Sequence, residues 1–525
     1  MKVLLCALAF CVLAGAAAGQ TLRWSSQGDP LTMDPHSQNE GLTNSMNGQV
    51  YEKLVKRDRL LNVGPGLATS WEQTSPLSWR FKLRTGVRFH DGSLMTVEDV
   101  VFSVQRAQHP SSNINVYANA LGDAVAVDSS TVEFRLPRVN PVFLQHLDAV
   151  FIMNKAWCEK HKVSKPLDFK NKEESYAGFN ANGTGPFMLV NRQPGIKTTY
   201  KRFAAWWGDT VGPKQGNVQD VVFTPISNDA TRLAALVSGE IDFVIDPAPR
   251  DVARLRGTAG IKVIDGPENR VLFIGMDQFR DELLYSSVKG KNPFKDIRVR
   301  RALYHAIDIE TIRSKLMNGM AVPTGGLTPS PLAAYNDPGL EARLPFDLAK
   351  ARALMSEAGH GEGFDITLDC TNNRYINDEE ICIALAAMWA QLKVKVKVNA
   401  QPRSIWFPRM EKFDTSLYLL GWGGAVTDAE TVITPVLRMV GEKGQGLYNW
   451  GRVRNEKFEQ LAAASSVEPD PKKREELVKG ALREYQAQTH LIPLHRQVIP
   501  WATRSNVDVV HRADNWFELP WVSVR

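Results

Sequence analysis

"LATSWEQTSPLSWRFKLRTGVRFHDGSLMTVEDVVFSVQR", residues 67–106, is the stretch on which the fold turns. Within it "WRFKLRTGVR" alternates apolar and polar residues, the period of a half-buried strand. The "FHDG" that follows suggests catalysis at first sight, but Asp91-Gly92 after a strand is better read as a turn. Trp71 and Trp79 sit in strand-like contexts, as does Trp24, and all three read as core residues.

Outward from this stretch, helix and strand patterns alternate along the chain, so the class is α/β. Val299, Ala302, Leu303, Ala306 and Ile307 recur at helical spacing over 297–307. Ile381, Leu385, Met388 and Leu392 do the same, with Asn377 or Asp378 as the cap. "VKVKV" at 394–398 then predicts a half-buried strand. No internal repeat or long flexible linker interrupts the pattern. Two globular halves without a linker predict strands that cross directly between domains, with a cleft between them.

A chain of 525 residues is too long for one core. With 43% hydrophobic and 23% charged residues it has the balance of a soluble globular protein. The net charge of +6, from 63 basic and 57 acidic residues, is diffuse. No concentrated Lys/Arg run marks a nucleic-acid surface, and no nucleic-acid partner is expected. "MKVLLCALAFCVLAGAAAGQ" reads as an export signal: Lys2, an apolar stretch from Val3 to Leu13, then small residues for cleavage after Ala18 or Gly19. Bulky Phe10 before Cys11 makes a poor lipid-attachment site. The expected mature protein is soluble and exported, with Cys158, Cys370 and Cys382 in an oxidising compartment. Cys370 ends a strand-like segment and Cys382 begins a helix-like one. A bridge between them would staple the intervening loop; two separately buried thiols is the alternative.

Catalytic constellations do not appear. The phosphate loop, the GxSxG elbow and the HExxH zinc helix are all missing. His90, His305, His360 and His511 stand alone, and His490 with His495 lacks the cysteine pair of a zinc site. No cofactor or metal is expected, and a secreted hydrolase is the weaker reading. Among the tryptophans, Trp206 and Trp207 before Gly208 read as packing a turn. "LYLLGWGGAVTDAET" (417–431) is unusual: a buried strand runs into Gly421, Trp422, Gly423 and Gly424. Such a strand end lets a ligand approach bare backbone while one indole covers it.

Several ordered stretches together resemble the family 5 extracellular solute-binding proteins, the dipeptide-, oligopeptide- and nickel-binding components of ABC importers. They are 67–106, "NGTGPFML" (182–189), "RLAALVSGEIDFV" (232–244), "NPFKDIRVRRALYHAID" (292–308), "YNWGRVRNEKFEQL" (448–461) and "THLIPLH" (489–495). The resemblance covers nearly the whole mature chain. It implies a two-lobed periplasmic binding protein, a monomer that closes over its ligand and docks on an inner-membrane ABC permease. The expected division is a leader over 1–19, lobe I with an inserted subdomain over 20–270, lobe II over 271–488, and a return to lobe I over 489–525. By this resemblance "DPHSQNEGL" (34–42) makes Glu40, Gly41 and Leu42 ligand-site candidates. Tyr117 matches a ligand-facing aromatic, and Trp406 and Arg409 match a cleft tryptophan and a basic residue. Peptide binders of the family have an Asp three residues after the Trp of "GW", paired with the ligand's α-ammonium. Here that position is Ala425, and the nearest acids are Asp428 and Glu430. Family members carry peptides, peptide-like metabolites, opines, sugars, haem or metal chelates. Either Asp428, Glu430 or Glu40 replaces the missing Asp, or the ligand presents a neutral or anionic group there. The second is favoured, so the ligand expected is a peptide or peptide-like organic solute without a free α-ammonium held at position 425, with a non-peptide ligand (opine, sugar, haem or metal chelate) as the alternative.

Overall fold

The structure is a computed structural model and describes residues 20–171, 173–211, 216–328, 335, 337–423, 428–442 and 444–525. The leader expected at 1–19, and Gly424 and Ala425 of the candidate site, lie outside the described residues.

Two long strands organise the molecule. Ile261–Met276 and Leu491–Arg504 pair antiparallel from Ile261↔Arg504 to Gly275↔Leu491. At about 3.3 Å per residue the longer one spans roughly 50 Å, enough to serve two domains. At one end Leu491–Arg504 pairs with Phe243–Ile245, which leads on to Gln20–Ser25, Val218–Phe223, Lys197–Arg202 and Phe187–Gln193. At the other end Ile261–Met276 pairs with Leu417–Gly423, next to Asp365–Thr371 and Lys395–Gln401. The run Val271–Met276 is apolar on both faces and fully buried, as a strand covered on both sides must be. The result is a two-lobed α/β protein whose lobes share one eleven-stranded sheet among the described residues.

The cores divide accordingly. One joins Leu22, Trp24 and Phe243 to Ile499, Trp501 and Phe517, so the C-terminal segment packs back onto the first lobe. Two others occupy the second lobe, around Trp389 and around Trp406 with Trp450. A fourth lies in an inserted four-stranded antiparallel sheet, Ala68–Ser75, Ser78–Leu83, Thr131–Arg135 and Asp123–Asp128, covered by helix Val97–Ala107. That helix begins with a capping box: Thr96 accepts from the Asp99 N–H and the Asp99 carboxylate from the Thr96 N–H.

"WRFKLRTGVR" forms the strand Ser78–Leu83, and Asp91-Gly92 forms the turn, with Gly92 at φ +88°. His90 is structural: its ring donates to the Gly185 carbonyl at 2.9 Å, and burial pushes its pKa down to about 4. Helices stand at Ile297–His305 and Asp378–Ala390, and the strand predicted at 394–398 runs Lys395–Gln401 with its lysines exposed. Trp24 is core, whereas Trp71 and Trp79 are half-buried against the subdomain. Trp206 and Trp207 both donate their indole N–H to Glu52. No helix of the described residues is long and apolar enough to cross a membrane.

Candidate functional site

A cleft of about 980 Å³, open solvent included, lies between the lobes where Leu417–Gly423 ends. Lobe I contributes the start of helix Gly41–Asn47, with Tyr117, Lys53 and Phe151; lobe II contributes Tyr375, Phe407, Trp422 and Tyr448. Arg270 comes from the crossing strands themselves. Between the pairs Pro267↔Val498 and Val271↔Arg496 the register slips, so Glu268, Asn269 and Arg270 oppose Gln497 alone. Such a bulge bends the strand and re-aims its side chains.

Glu40 is the electrostatic centre of the junction. It caps helix Gly41–Asn47 by accepting from the Leu42 and Thr43 N–H groups. From lobe II, Arg403 donates to it at 2.8 Å and Arg374 Nε lies at 2.9 Å. Burial alone would raise the Glu40 pKa, but the two guanidiniums overcome it and hold the group at about 2. Asp148 is likewise taken by Arg57 at 2.8 Å and Lys53 at 3.4 Å. Arg270 pairs with Glu268 at 2.7 Å. The NH2 groups of Arg374 and Arg270 converge on Gly41, where an added Cβ would sit 3.3 and 3.4 Å from them. A side chain at 41 would therefore crowd both cations.

The glycines of "GWGG" do something other than bare backbone to a ligand. A Cβ at Gly421 would fall 2.6 Å from the Tyr375 ring, and one at Gly423 only 1.8 Å from the Asn269 carbonyl oxygen. Tyr375 lies against the strand and donates to the Gly421 carbonyl at 3.1 Å. The glycines thus admit Tyr375 and the bulge. Trp422 lines the cleft with its ring 4.7 Å from Tyr448, and its indole N–H donates to the Thr431 carbonyl at 2.7 Å.

Of the candidates, the cleft brings together Glu40, Gly41, Tyr117, Gly421, Trp422 and Gly423. Leu42 turns into the lobe I core. Trp406 is fully buried in lobe II, edge-on to Trp450 at 5.2 Å, because its helix Arg403–Met410 presents that face inward. Arg409 points away, held by Asp369, Asp414 and Gln401. Asp428 is taken by two bonds from Arg474, at 2.7 and 2.8 Å, and by the Tyr335 hydroxyl. Burial favours its neutral form, yet Arg474 keeps its pKa below the usual carboxylate range. Glu430 lacks such a partner, and burial raises it to about 7. Cys370 and Cys382 are joined in a disulfide, and Cys158 is a buried free thiol. Among the described residues no cluster of His, Cys, Asp or Glu could hold a metal ion.

Sequence reasoning missed Arg270, Arg374, Tyr375, Tyr448, Lys53 and Trp516. Arg270 had one readable sign, the polar run "DGPENR" leading directly into "VLFIGM". The others sit in irregular segments, where no periodicity tells a wall from a surface.

The family model "Bacterial extracellular solute-binding proteins, family 5 Middle" matches residues 62–443. The dipeptide-binding protein of Escherichia coli K12 is 27% identical over 500 residues, covering 89% of this chain and 88% of its own. Heme-binding protein A of Haemophilus influenzae is 25% identical over 516 residues, covering 92% and 88%. Among solved structures, the periplasmic binding protein DppA of Helicobacter pylori in complex with the peptide STSA superposes with a TM-score of 0.84, at 22% identity over 96% of this chain and 98% of that one. The chain therefore belongs to the bacterial extracellular solute-binding proteins of family 5.

Proposed function

We propose that the protein captures a peptide-like solute in the interlobe cleft and delivers it to an inner-membrane ABC permease. The solute carries an anionic end and no free α-ammonium. Ligand closes the lobes because it touches both only when they are together, and the two crossing strands are where they flex. The function is binding and release, not turnover. Members of the same family bind by name dipeptides and haem, so the family alone leaves the ligand open and the cleft's chemistry has to narrow it.

The observation that carries this reading is the state of the acids. A buried ammonium needs a carboxylate partner. Glu40, Asp148 and Asp428 are each already engaged by an Arg, and Glu430, which burial discourages from ionising, lies outside the cleft lining. At sequence level Ala425 offers none. Arg270 and Arg374 meet Glu268 and Glu40 through Nε, which leaves their NH2 groups converging on one end of the cleft as a seat for a carboxylate. The aromatic rings of Trp422, Tyr448, Phe407 and Tyr117 supply apolar walls. Calorimetry with Ala-Ala and Ala-Ala-Ala beside their N-acetyl forms tests it. The N-acetyl forms are expected to bind at least as tightly as the free peptides. Tight binding of free peptides, abolished by N-acetylation, overturns the reading.

A further inference from the structure

Beside the cleft, wholly within lobe I and the C-terminal segment that packs on it, lies a second chamber of about 820 Å³, open solvent included. Its walls are strongly aromatic: Tyr51, Phe151, Trp206, Trp516 and Trp521, closed by Pro186 and Pro520. Lys53, Asp148, Phe151 and Trp516 line both this chamber and the cleft, so the two spaces share one partition.

The long side chain in that partition is a lysine. Lys53 Nζ lies 4.7 Å from the centre of the Phe151 ring, 4.8 Å from that of Trp516 and 3.4 Å from Asp148 Oδ1. Asp148 keeps its stronger partner, Arg57 at 2.8 Å, if Lys53 leaves. An unbranched side chain of this kind changes rotamer without moving backbone. Burial also works against its charge. The charged groups Arg512, Glu518 and Glu52 of the chamber already have partners. Arg512 pairs with Asp514 and Glu518, and the Glu52 carboxylate accepts from Trp206, Trp207 and Thr184. Three buried polar groups on residues of the lining have no hydrogen-bond partner among the described residues: the Trp516 indole N–H and the hydroxyls of Ser45 and Tyr51. Buried polar groups are rarely left so. What the chamber offers is therefore flat aromatic surface with one weak donor and two hydroxyls.

We propose that the ligand cleft continues past Lys53 into this chamber, which receives a planar aromatic arm of the solute. The proposal rests on the reading of the cleft as the ligand site. It makes the natural ligand larger than a bare dipeptide: a peptide-like acid with an aromatic group at one end.

The test compares N-acetyl-Ala-Ala with N-(2-naphthoyl)-Ala-Ala and with N-acetyl-Ala-(2-naphthyl)alanine, so that the arm leaves the backbone at either end. Calorimetry on the full mature chain should show one armed ligand binding at least tenfold more tightly than N-acetyl-Ala-Ala. Trp521 lines the chamber and not the cleft, so Trp521→Ala should erase that gain and leave N-acetyl-Ala-Ala unchanged. A crystal structure of the wild-type complex gives a second answer that does not depend on the variant folding. A naphthyl group between Trp516 and Trp521 supports the proposal. Equal affinities for all three ligands, or a naphthyl group elsewhere in the cleft, overturns it. If free Ala-Ala instead outcompetes its acetylated form, the cleft reading falls. The pair Ala-Ala and Ala-(2-naphthyl)alanine then reads the chamber by the same criterion.

Discussion

Tyr448 lines the cleft with its ring against Trp422, and its hydroxyl is buried without a hydrogen-bond partner among the described residues. An orphaned buried hydroxyl costs roughly 1–3 kcal/mol, and a ligand group that meets it recovers part of that. Tyr448→Phe is therefore expected to leave unfolding stability unchanged or slightly raised, and to weaken ligand binding by about 1 kcal/mol. Urea unfolding and calorimetry on the same preparation check both halves. Unaltered affinity would show that the hydroxyl meets nothing. Trp422→Ala is a blunter probe, because the indole also packs into the lobe II core and donates to Thr431. It should lower stability by about 3 kcal/mol as well as affinity, so Tyr448→Phe is the cleaner reporter of the site.

The loop 371–377 is held from three directions. The disulfide ties Cys370, in strand Asp365–Thr371, to Cys382 in helix Asp378–Ala390. The Asp378 carboxylate accepts from the Thr371 hydroxyl at 2.6 Å and from the Arg374 and Tyr375 N–H groups at 3.0 and 3.1 Å. Asn377 stands at the cap position with φ +55° but makes no side-chain cap bond, so the capping acid turns back into the loop instead. These bonds aim Arg374 and Tyr375 at the cleft. A sequence separation of 12 gives the bridge about 3 kcal/mol in the chain-entropy picture. The double substitution Cys370→Ala with Cys382→Ala should lower unfolding stability by about that amount and also weaken ligand binding, because the loop that presents Arg374 loosens. Equal urea midpoints for oxidised and reduced wild type would remove the stabilising role.

At the scale of the whole molecule, Glu411 is buried where the two lobes meet. It belongs to lobe II, yet it accepts from Asn113 at 2.9 Å and Gln38 at 3.3 Å, both of lobe I. Burial raises its pKa to about 7 against those two bonds, with Lys170 lowering it and Asp168 raising it slightly. In the open form the group meets water and returns towards an ordinary value near 4.5. A pKa raised on closing means that closing takes up a proton. Glu411 thus favours the closed form most below about pH 4.5 and loses that contribution as pH rises to about 7. The Glu40 pairs with Arg374 and Arg403 work the other way, weakening as pH falls from about 4.5 towards 2. Between about pH 4.5 and 7 Glu411 should lower ligand affinity by no more than about tenfold per pH unit, and Glu411→Gln should remove that part of the slope. Glu430 is held near 7 by burial as well, and it faces Tyr117 and His146 of lobe I, so opening exposes it too and Glu430→Gln should remove a further part of the slope. A slope unchanged in Glu411→Gln would assign the pH response elsewhere.

Periodicity and ordered motifs carry local information, and by themselves they determined the class, the helices near 297–305 and 378–390, the strand and turn around Asp91, and the family. They also pointed to Trp422, which does line the cleft, although the glycines around it admit Tyr375 and the bulge rather than a ligand. Trp406 and Arg409 looked equivalent to it in sequence. Their neighbours in space, Trp450 for one and Asp369 with Asp414 for the other, are set by how distant elements pack. The same is true of the electrostatics. Glu40 reads as an open ligand-site acid until Arg374 and Arg403, more than 330 residues further on, arrive from the other lobe. Pairing across a cleft depends on tertiary distance, and the charge left over for a ligand is the remainder after that pairing. Only the tertiary structure decided it.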